Sequence, residues 1–255
     1  MKITALSENT SKLKFPVEHG LSLYIELENK KLLFDTGQSG LFAQNAERLR
    51  INLGEVDTAV LSHGHYDHGG GLKKFLELNK KAPVYMSRYA FEEHYNGEKY
   101  IGLDKNLAKD RFIFTDEEKK ISDGLTLFSC NEREKKIDLG SFGLNMIKNG
   151  TLVADDFRHE QYLLIEEKGR RTLISGCSHK GVINIVNWFK PDALVGGFHF
   201  SKIPLGEKLK SYAEILNAYN TDYYTCHCTG EEQFKFMKKY MKRLNYISAG
   251  ETIEI

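Results

Sequence analysis

Leu61-Ser62-His63-Gly64-His65-Tyr66-Asp67-His68-Gly69-Gly70 puts three imidazoles and one carboxylate within six consecutive positions, directly after the strand-like apolar run Thr58-Ala59-Val60. Neutral imidazole and carboxylate are the donors that zinc, iron and manganese accept. Crowding them together with no cation would desolvate titratable groups for no gain. We therefore read the stretch as a metal site, and as two sites rather than one. His63 and His65 share one side of an extended segment and grip one ion, while Asp67 and His68 at the next turn reach a second. The glycines let the backbone fold these side chains inward. A low-complexity polar tract is the competing reading, but it needs neither a buried strand before it nor glycines behind it.

Composition limits what surrounds the site. A chain of 255 residues with 41% hydrophobic content buries a full core, and one domain over residues 1–255 is the expected organisation. Lys and Arg total 36 against 35 Asp and Glu, so no bulk basic field draws nucleic acid. The residues after Met1 lack an apolar core with a small-residue cleavage site, and no stretch approaches the roughly twenty apolar residues of a membrane span. The expectation is a soluble, cytoplasmic protein with a small-molecule substrate and neither membrane nor nucleic acid as partner. Cys130, Cys177, Cys226 and Cys228 are too few for a disulfide scaffold in a chain this long, and three of them stand close to histidines.

Two halves repeat one style of unit. Leu21 to Leu27 and Lys31 to Phe34 flank a turn and run into Asp35-Thr36-Gly37, which predicts a hairpin ending in a functional loop. A helix over Leu41 to Leu49, the strand into the histidine run, a helix over Leu72 to Leu78 and a strand Pro83 to Met86 follow. In the second half, Gln161 to Ile165 and Arg171 to Ser175 predict another hairpin, ending at Gly176-Cys177-Ser178-His179. Then come a helix Val182 to Phe189, a strand Ala193 to Gly196 leading to His199, a helix Tyr212 to Tyr219 and a strand Tyr223 to Cys226 leading to His227. Thr229-Gly230-Glu231-Glu232 offers a capping box for a last helix with Phe234, Met237, Met241 and Leu244 on its core face. Such a sequence of elements predicts an α/β protein with two mixed sheets packed face to face and helices outside, a four-layer αββα sandwich. His63, His179, His199 and His227 all fall at carboxyl ends of predicted strands, where loops converge on a crevice. Ser87 to Asp123, rich in aromatics and charges, interrupts the pattern and is expected to be an inserted lid over that crevice, with His94 on the surface.

Leu33-Phe34-Asp35-Thr36-Gly37 followed by Ser62-His63-Gly64-His65-Tyr66-Asp67-His68 resembles the metallo-β-lactamase fold superfamily. Glu18-His19-Gly20-Leu21-Ser22, Ser175-Gly176-Cys177-Ser178-His179, Gly196-Gly197-Phe198-His199 and His227-Cys228-Thr229-Gly230 look like its dihydropterin synthase-like branch. The resemblance covers essentially the whole chain. It implies that His63 and His65 bind one metal, that Asp67 and His68 bind the other, and that His227 completes the second site. Cys177 occupies the place of the superfamily's bridging aspartate. His179, two residues on, is read as a ligand, with Cys177 a softer ligand or a group just behind the ligands, and Asp156 the lesser alternative. Two divalent ions are expected, zinc ahead of manganese or iron because thiolate favours it.

Metal-activated water makes hydrolysis of a small anionic, phosphorylated or pterin-like substrate the leading function, with Asp67 as ligand and base and His199 beside it. The alternatives are the branch's diphosphate-displacing transferase reaction, which joins a dihydropterin methyl diphosphate to a ribofuranosylaminobenzene phosphate, and a non-hydrolytic metal-binding or redox protein. His19, Gln38, Ser39, Lys180 and His199 are the expected substrate contacts, His199 between Phe198 and Phe200 suiting a flat ring. Asp35 is expected to organise the histidine loop by hydrogen bonds. Balanced charge argues against a nuclease, Cys177 against a true β-lactamase, and Gly64 against an iron redox site.

Overall fold

The computed structural model describes all 255 residues. Its centre is the pair of hairpins anticipated above, Ser22–Glu26 with Lys31–Phe34 and Tyr162–Glu167 with Arg170–Ile174, each antiparallel. Each hairpin seeds a seven-stranded sheet by adding parallel strands at one side. In the first sheet, Thr58–Val60, Val84–Ser87 and Phe112–Thr115 follow Lys31–Phe34 in parallel. In the second, Ala193–Gly196, Asp222–Thr225 and Leu244–Tyr246 follow Arg170–Ile174 in the same way. Lys2–Ser7 and Thr252–Glu254 close the far side of the first sheet, so the two chain ends pair with each other.

Alternation along the strands divides the core into layers. Leu23, Ile25, Leu32 and Phe34 point one way and meet Leu163, Ile165, Ile174 and Val195 of the other sheet. Tyr24 and Leu33 point the other way, against Phe42 and Phe75 of the helices Leu41–Arg48 and Leu72–Leu78. Helices Val182–Phe189, Glu207–Asn217 and Glu231–Met237 cover the second sheet likewise. Two sheets inside and helices outside is the αββα sandwich. Strands buried on both faces explain why these segments carry apolar side chains at nearly every position. Each fully buried Leu, Ile or Phe contributes roughly 1.5–3 kcal/mol.

Three local expectations are corrected. Residues 87–123 do not form one appended lid: they contribute Phe112–Thr115 to the first sheet, Glu118–Ser122 to the edge of the second, and His94–Asn96 with Lys99–Tyr100 to a third. That third, four-stranded sheet pairs His94–Asn96 with Leu144–Lys148, fifty residues away in sequence, a partnership no local pattern reveals. The 207–217 helix begins five residues earlier than predicted because its first turn, Glu207 to Lys210, carries mostly polar residues. The capping box does not form. Thr229 Oγ1 instead accepts the Phe198 N–H at 2.9 Å, and the helix stops at Met237, leaving Met241 and Leu244 in the core from a turn and a strand.

Candidate metal centre

Beyond Val60 the chain crosses between the two sheets before a single-turn helix, Tyr66–Gly69. Gly64 permits the crossing, since a Cβ there would lie 2.2 Å from the Ala90 carbonyl oxygen. No acidic side chain fits at that position. His63, His65, Asp67 and His68 are thereby turned inward and buried. From the second sheet, the ends of Arg170–Ile174, Ala193–Gly196 and Asp222–Thr225 deliver Cys177 with His179, then His199, then His227. Asp35, His199 and His227 hold positive φ of 61°, 55° and 49°, a conformation that costs non-glycine residues about 1 kcal/mol or more and recurs at functional sites. All nine histidines of the chain join one cluster in which each ring centroid lies within 5.1 Å of the next.

Two donor groups stand out. Around Asp67, His68 Nε2 lies 3.2 Å from His227 Nε2 and 3.2 Å from Cys177 Sγ, and Asp67 Oδ2 lies 3.4 Å from His227 Nε2 and 3.7 Å from His68 Nε2. His68 Nδ1–H donates to Asp35 at 2.7 Å and His227 Nδ1–H to Asn9 Oδ1 at 2.8 Å, so in the neutral rings both Nε2 atoms present lone pairs. Two lone pairs facing each other across 3.2 Å repel unless a proton or a metal cation lies between. The second group is His63, His65 and His179, whose donor atoms lie within 4.8 Å of one another. His63 Nε2 and both nitrogens of His179 are buried with no protein partner, and each such orphan costs about 1–3 kcal/mol. Imidazole lone pairs with a carboxylate and a thiol are a donor set that fits divalent cations, zinc in particular.

Buried carboxylates hold each donor loop. Asp35 accepts the Ser62 N–H and hydroxyl at 2.7 Å each, as well as His68, and the Ser62 hydroxyl in turn accepts from His63 Nδ1 at 2.8 Å. The expected organising role of Asp35 thus reaches both donor groups. Glu160 takes the backbone N–H of His179 at 2.7 Å, and Glu8 that of His227 at 2.6 Å. Neither carboxylate was singled out in the sequence, because each acts on backbone across a long chain separation.

Electrostatics favour cation-ready donors in one group and protonated ones in the other. Burial and neighbouring imidazoles push the His63 and His179 pKa well below the usual histidine range, leaving them neutral. Burial lowers His68 as well, but the Asp35 and Asp67 carboxylates outweigh it and raise it to about 9. Burial raises Asp67, yet His68, His19 and His227 more than compensate and keep it ionised. Burial pushes the Cys177 thiol well above its usual value.

A cavity of about 170 Å³ opens onto these donors, with Asn96, Lys99 and Leu144 of the third sheet on one rim and Ser201 and Lys202 on another. His19 sits at the mouth, its Nε2 3.3 Å from Asp67 Oδ2. His199 also lines it, packed 4.4 Å from the Phe142 ring. Several expected contacts fall elsewhere. Lys180 is buried and donates to the carbonyls of Ser129 and Glu160 at 2.7 and 2.9 Å, its pKa lowered by burial to about 8, so it braces a loop and does not face the cavity. Gln38 and Ser39 give their N–H groups to Glu18 outside the cavity. Phe198 and Phe200 are core residues of the second sheet, leaving Phe142 as the aromatic neighbour of His199. Asp156 is exposed and pairs with Lys148 at 3.0 Å. His94, expected on the surface, is fully buried beside Asp155 and His159. Cys228 joins Cys177 and His227 in the centre, a contribution the sequence reading missed although the His227-Cys228 dipeptide signals it.

Comparison with known proteins agrees with this geometry. A family model described as the metallo-beta-lactamase superfamily matches residues 16–219. From Methanocaldococcus jannaschii, the uncharacterized protein MJ0448 is 32% identical, with 96% of each chain covered. The 7,8-dihydropterin-6-methyl-4-(beta-D-ribofuranosyl)-aminobenzene-5'-phosphate synthase of the same organism is 29% identical over all of this chain and 96% of its own. Among solved structures, Tm1679, described as a metal-dependent hydrolase of the beta-lactamase superfamily, superposes with a TM-score of 0.82 at 30% identity, covering 100% of this chain and 99% of its own. Two hairpin-seeded sheets, a histidine run crossing between them and these matches over nearly the full length lead to one conclusion: the chain belongs to the metallo-beta-lactamase superfamily.

Proposed function

We propose that the protein is a two-metal hydrolase of a small anionic substrate. The supporting observation is a pair of donor groups beside one cavity, His63, His65 and His179 for one ion and Asp67, His68, His227 and Cys177 for the other, with His65, His179, Asp67, His227 and Cys177 lining it. Bound there, divalent cations, zinc by the softness of the thiol donor, supply Lewis acidity and lower the pKa of water from about 16 to about 7. Asp67 would help to hold a cation, and its ionised carboxylate would orient and take the proton of an attacking water. His19, half-exposed and in contact with Asp67, lies where a proton passes to solvent. Lys99, which donates to the Tyr66 hydroxyl at 3.2 Å, and Lys202 give the rim positive charge with no carboxylate paired to either, which suits a phosphate or carboxylate on the substrate.

The name of the 29%-identical relative favours a second reading, transfer with loss of diphosphate. Elemental analysis of protein purified without added metal, paired with assays on phosphate monoesters, phosphodiesters, lactones and a pterin diphosphate, separates the two. Two ions with ester cleavage are the expected result. Diphosphate release that depends on an arylamine acceptor would replace hydrolysis by transfer.

Metal affinity should depend steeply on pH. The His68 proton, held up to a pH of about 9, must leave before Nε2 binds a cation, and the Cys177 proton must leave for the sulfur to bind as thiolate. Ligand deprotonation strengthens binding as pH rises, so near pH 7 the logarithm of the affinity at this group should climb by about two per pH unit. Cys177→Ala should lower the slope to about one and weaken that ion alone. Chelator competition between pH 6 and 8 measures both, and a slope unchanged by Cys177→Ala would leave the thiol outside the metal shell.

A further inference from the structure

His94, Asp155 and His159 form a fully buried cluster that abuts the metal centre through His65, and the proposed mechanism uses none of the three. His94 comes from the third sheet, and the last strand of that sheet, Thr151–Ala154, leads directly into Asp155. Asp155 Oδ1 accepts the Phe157 N–H at 2.8 Å and has His159 Nε2 at 3.4 Å. Its Oδ2 takes His94 Nδ1 at 2.7 Å and has His65 Nε2 at 3.9 Å.

One donor atom from each of His65, His94, Asp155 and His159 lies within 4.8 Å of the others, which raises the question of a third cation. His159 decides against it. Its Nδ1 accepts the backbone N–H of Gly64 at 2.9 Å, so the proton of the neutral ring sits on Nε2, on the Asp155 side. That nitrogen has no lone pair left for a metal. His94 gives its Nδ1–H to the carboxylate, so of the two rings only His94, through its buried and unpartnered Nε2, keeps a lone pair, and one imidazole with one carboxylate is a poor cation site.

We propose that Asp155 is a positioning residue for His65: held by His94 and His159, its charge keeps the His65 proton on Nε2 and so presents Nδ1 to the cation shared with His63 and His179. This rests on the two-metal reading above. At 3.9 Å the contact is a charge–dipole interaction rather than a formed hydrogen bond, but inside a buried cluster a carboxylate at that distance is enough to select one tautomer. His65 Nε2 is buried with only the Asp155 carboxylate near it, and Nδ1 takes part in no hydrogen bond while His65 lines the cavity. His159 adds a second restraint by pinning the Gly64 peptide between His63 and His65. Carboxylate–histidine–metal chains of this type fix both ring orientation and tautomer, and loss of the outer partner costs about 10–100-fold in metal affinity.

The test compares the native protein with Asp155→Asn and His94→Asn, counting zinc by elemental analysis, measuring each affinity against a chromophoric chelator and recording the visible spectrum with cobalt(II). The native protein should hold two ions. Asp155→Asn should weaken one of them about 10–100-fold and shift its cobalt bands, while the other ion and the far-ultraviolet circular dichroism stay unchanged. His94→Asn retains an N–H donor in place of Nδ1 and removes Nε2, so its affinities should remain within about threefold of native. If Asp155→Asn fails to fold, His159→Asn keeps an oxygen acceptor for Gly64 but loses the donor to Asp155, and should weaken the same ion severalfold. Native affinities in Asp155→Asn, or in His159→Asn where that replaces it, would overturn the proposal while leaving the two-metal reading intact. Three ions in the native protein, falling to two in His94→Asn, would overturn it in favour of a cation at the cluster. A native protein that binds no ion would overturn this proposal and the metal centre together.

Discussion

His65→Ala is expected to strip the ion shared by His63, His65 and His179 and to lower turnover by about a thousandfold or more. Loss of a group that merely orients a ligand costs about 10–100-fold, so loss of the ligand itself should exceed that range. The substitution also removes a buried ring that touches His63, His94, His159 and His179, and leaves a cavity in a polar surround that water can fill. Water replacing the ring limits the cost in stability, so the variant should fold. His63 and His179 would remain as two donors, and two neutral imidazoles hold zinc weakly. The ion around Asp67, His68 and His227 should persist, because the only hydrogen bond of these residues to His65 runs from the His68 N–H to the His65 carbonyl, which alanine retains. One ion per chain in place of two, with turnover at background, is the predicted outcome by elemental analysis and assay. Two tightly held ions in His65→Ala would remove His65 from the donor set.

Much of this was legible because the signals were local. The histidine run, the two hairpins and the helices Leu72–Leu78 and Val182–Phe189 stand where periodicity placed them, and the strand-end histidines met in one crevice because parallel strands all end on the same side of a sheet. What the sequence concealed depends on long-range contact. His94 looked like one polar residue in a charged stretch; only its pairing with Leu144–Lys148 carries it under the site, where Asp155 accepts its Nδ1–H. Glu8 and Glu160 looked like ordinary acidic residues, yet both are buried because each meets a backbone N–H that a turn leaves unpaired. Lys180 misled in the opposite direction. A lysine beside a metal-binding motif suggests an anion contact, but the same side chain satisfies two carbonyls and rests over the Tyr162 ring.

Asp35→Ala should be the most damaging single change away from the donor atoms themselves. One carboxylate serves the Ser62 N–H, the Ser62 hydroxyl and His68 Nδ1, and through Ser62 it also sets the orientation of His63. Breaking such a buried pair leaves His68 uncompensated and a backbone N–H unsatisfied, which costs about 3–5 kcal/mol. Alanine is also a poorer occupant than aspartate of the positive φ at this position. The sign of the pH dependence provides an internal check on protein treated with chelator. His68 is raised from 6.5 to about 9, so its partnership with the carboxylates stabilises the fold fully below about pH 6.5 and ceases to do so as pH rises through about 9. The stability gap between native and Asp35→Ala protein should therefore narrow across that interval, as denaturant unfolding at a series of pH values would measure. Asp35→Asn separates function from stability. It keeps the size and the tolerance of positive φ, and one oxygen still accepts the Ser62 N–H, but its amide NH2 then faces His68 Nδ1–H, donor against donor, and leaves the Ser62 hydroxyl proton without its acceptor. Such a protein should fold and yet lose about 10–100-fold in affinity for both ions, whereas a substitution at Asp155 touches only one. Unaltered binding at either ion in Asp35→Asn would break the link drawn here between this one carboxylate and the two donor groups.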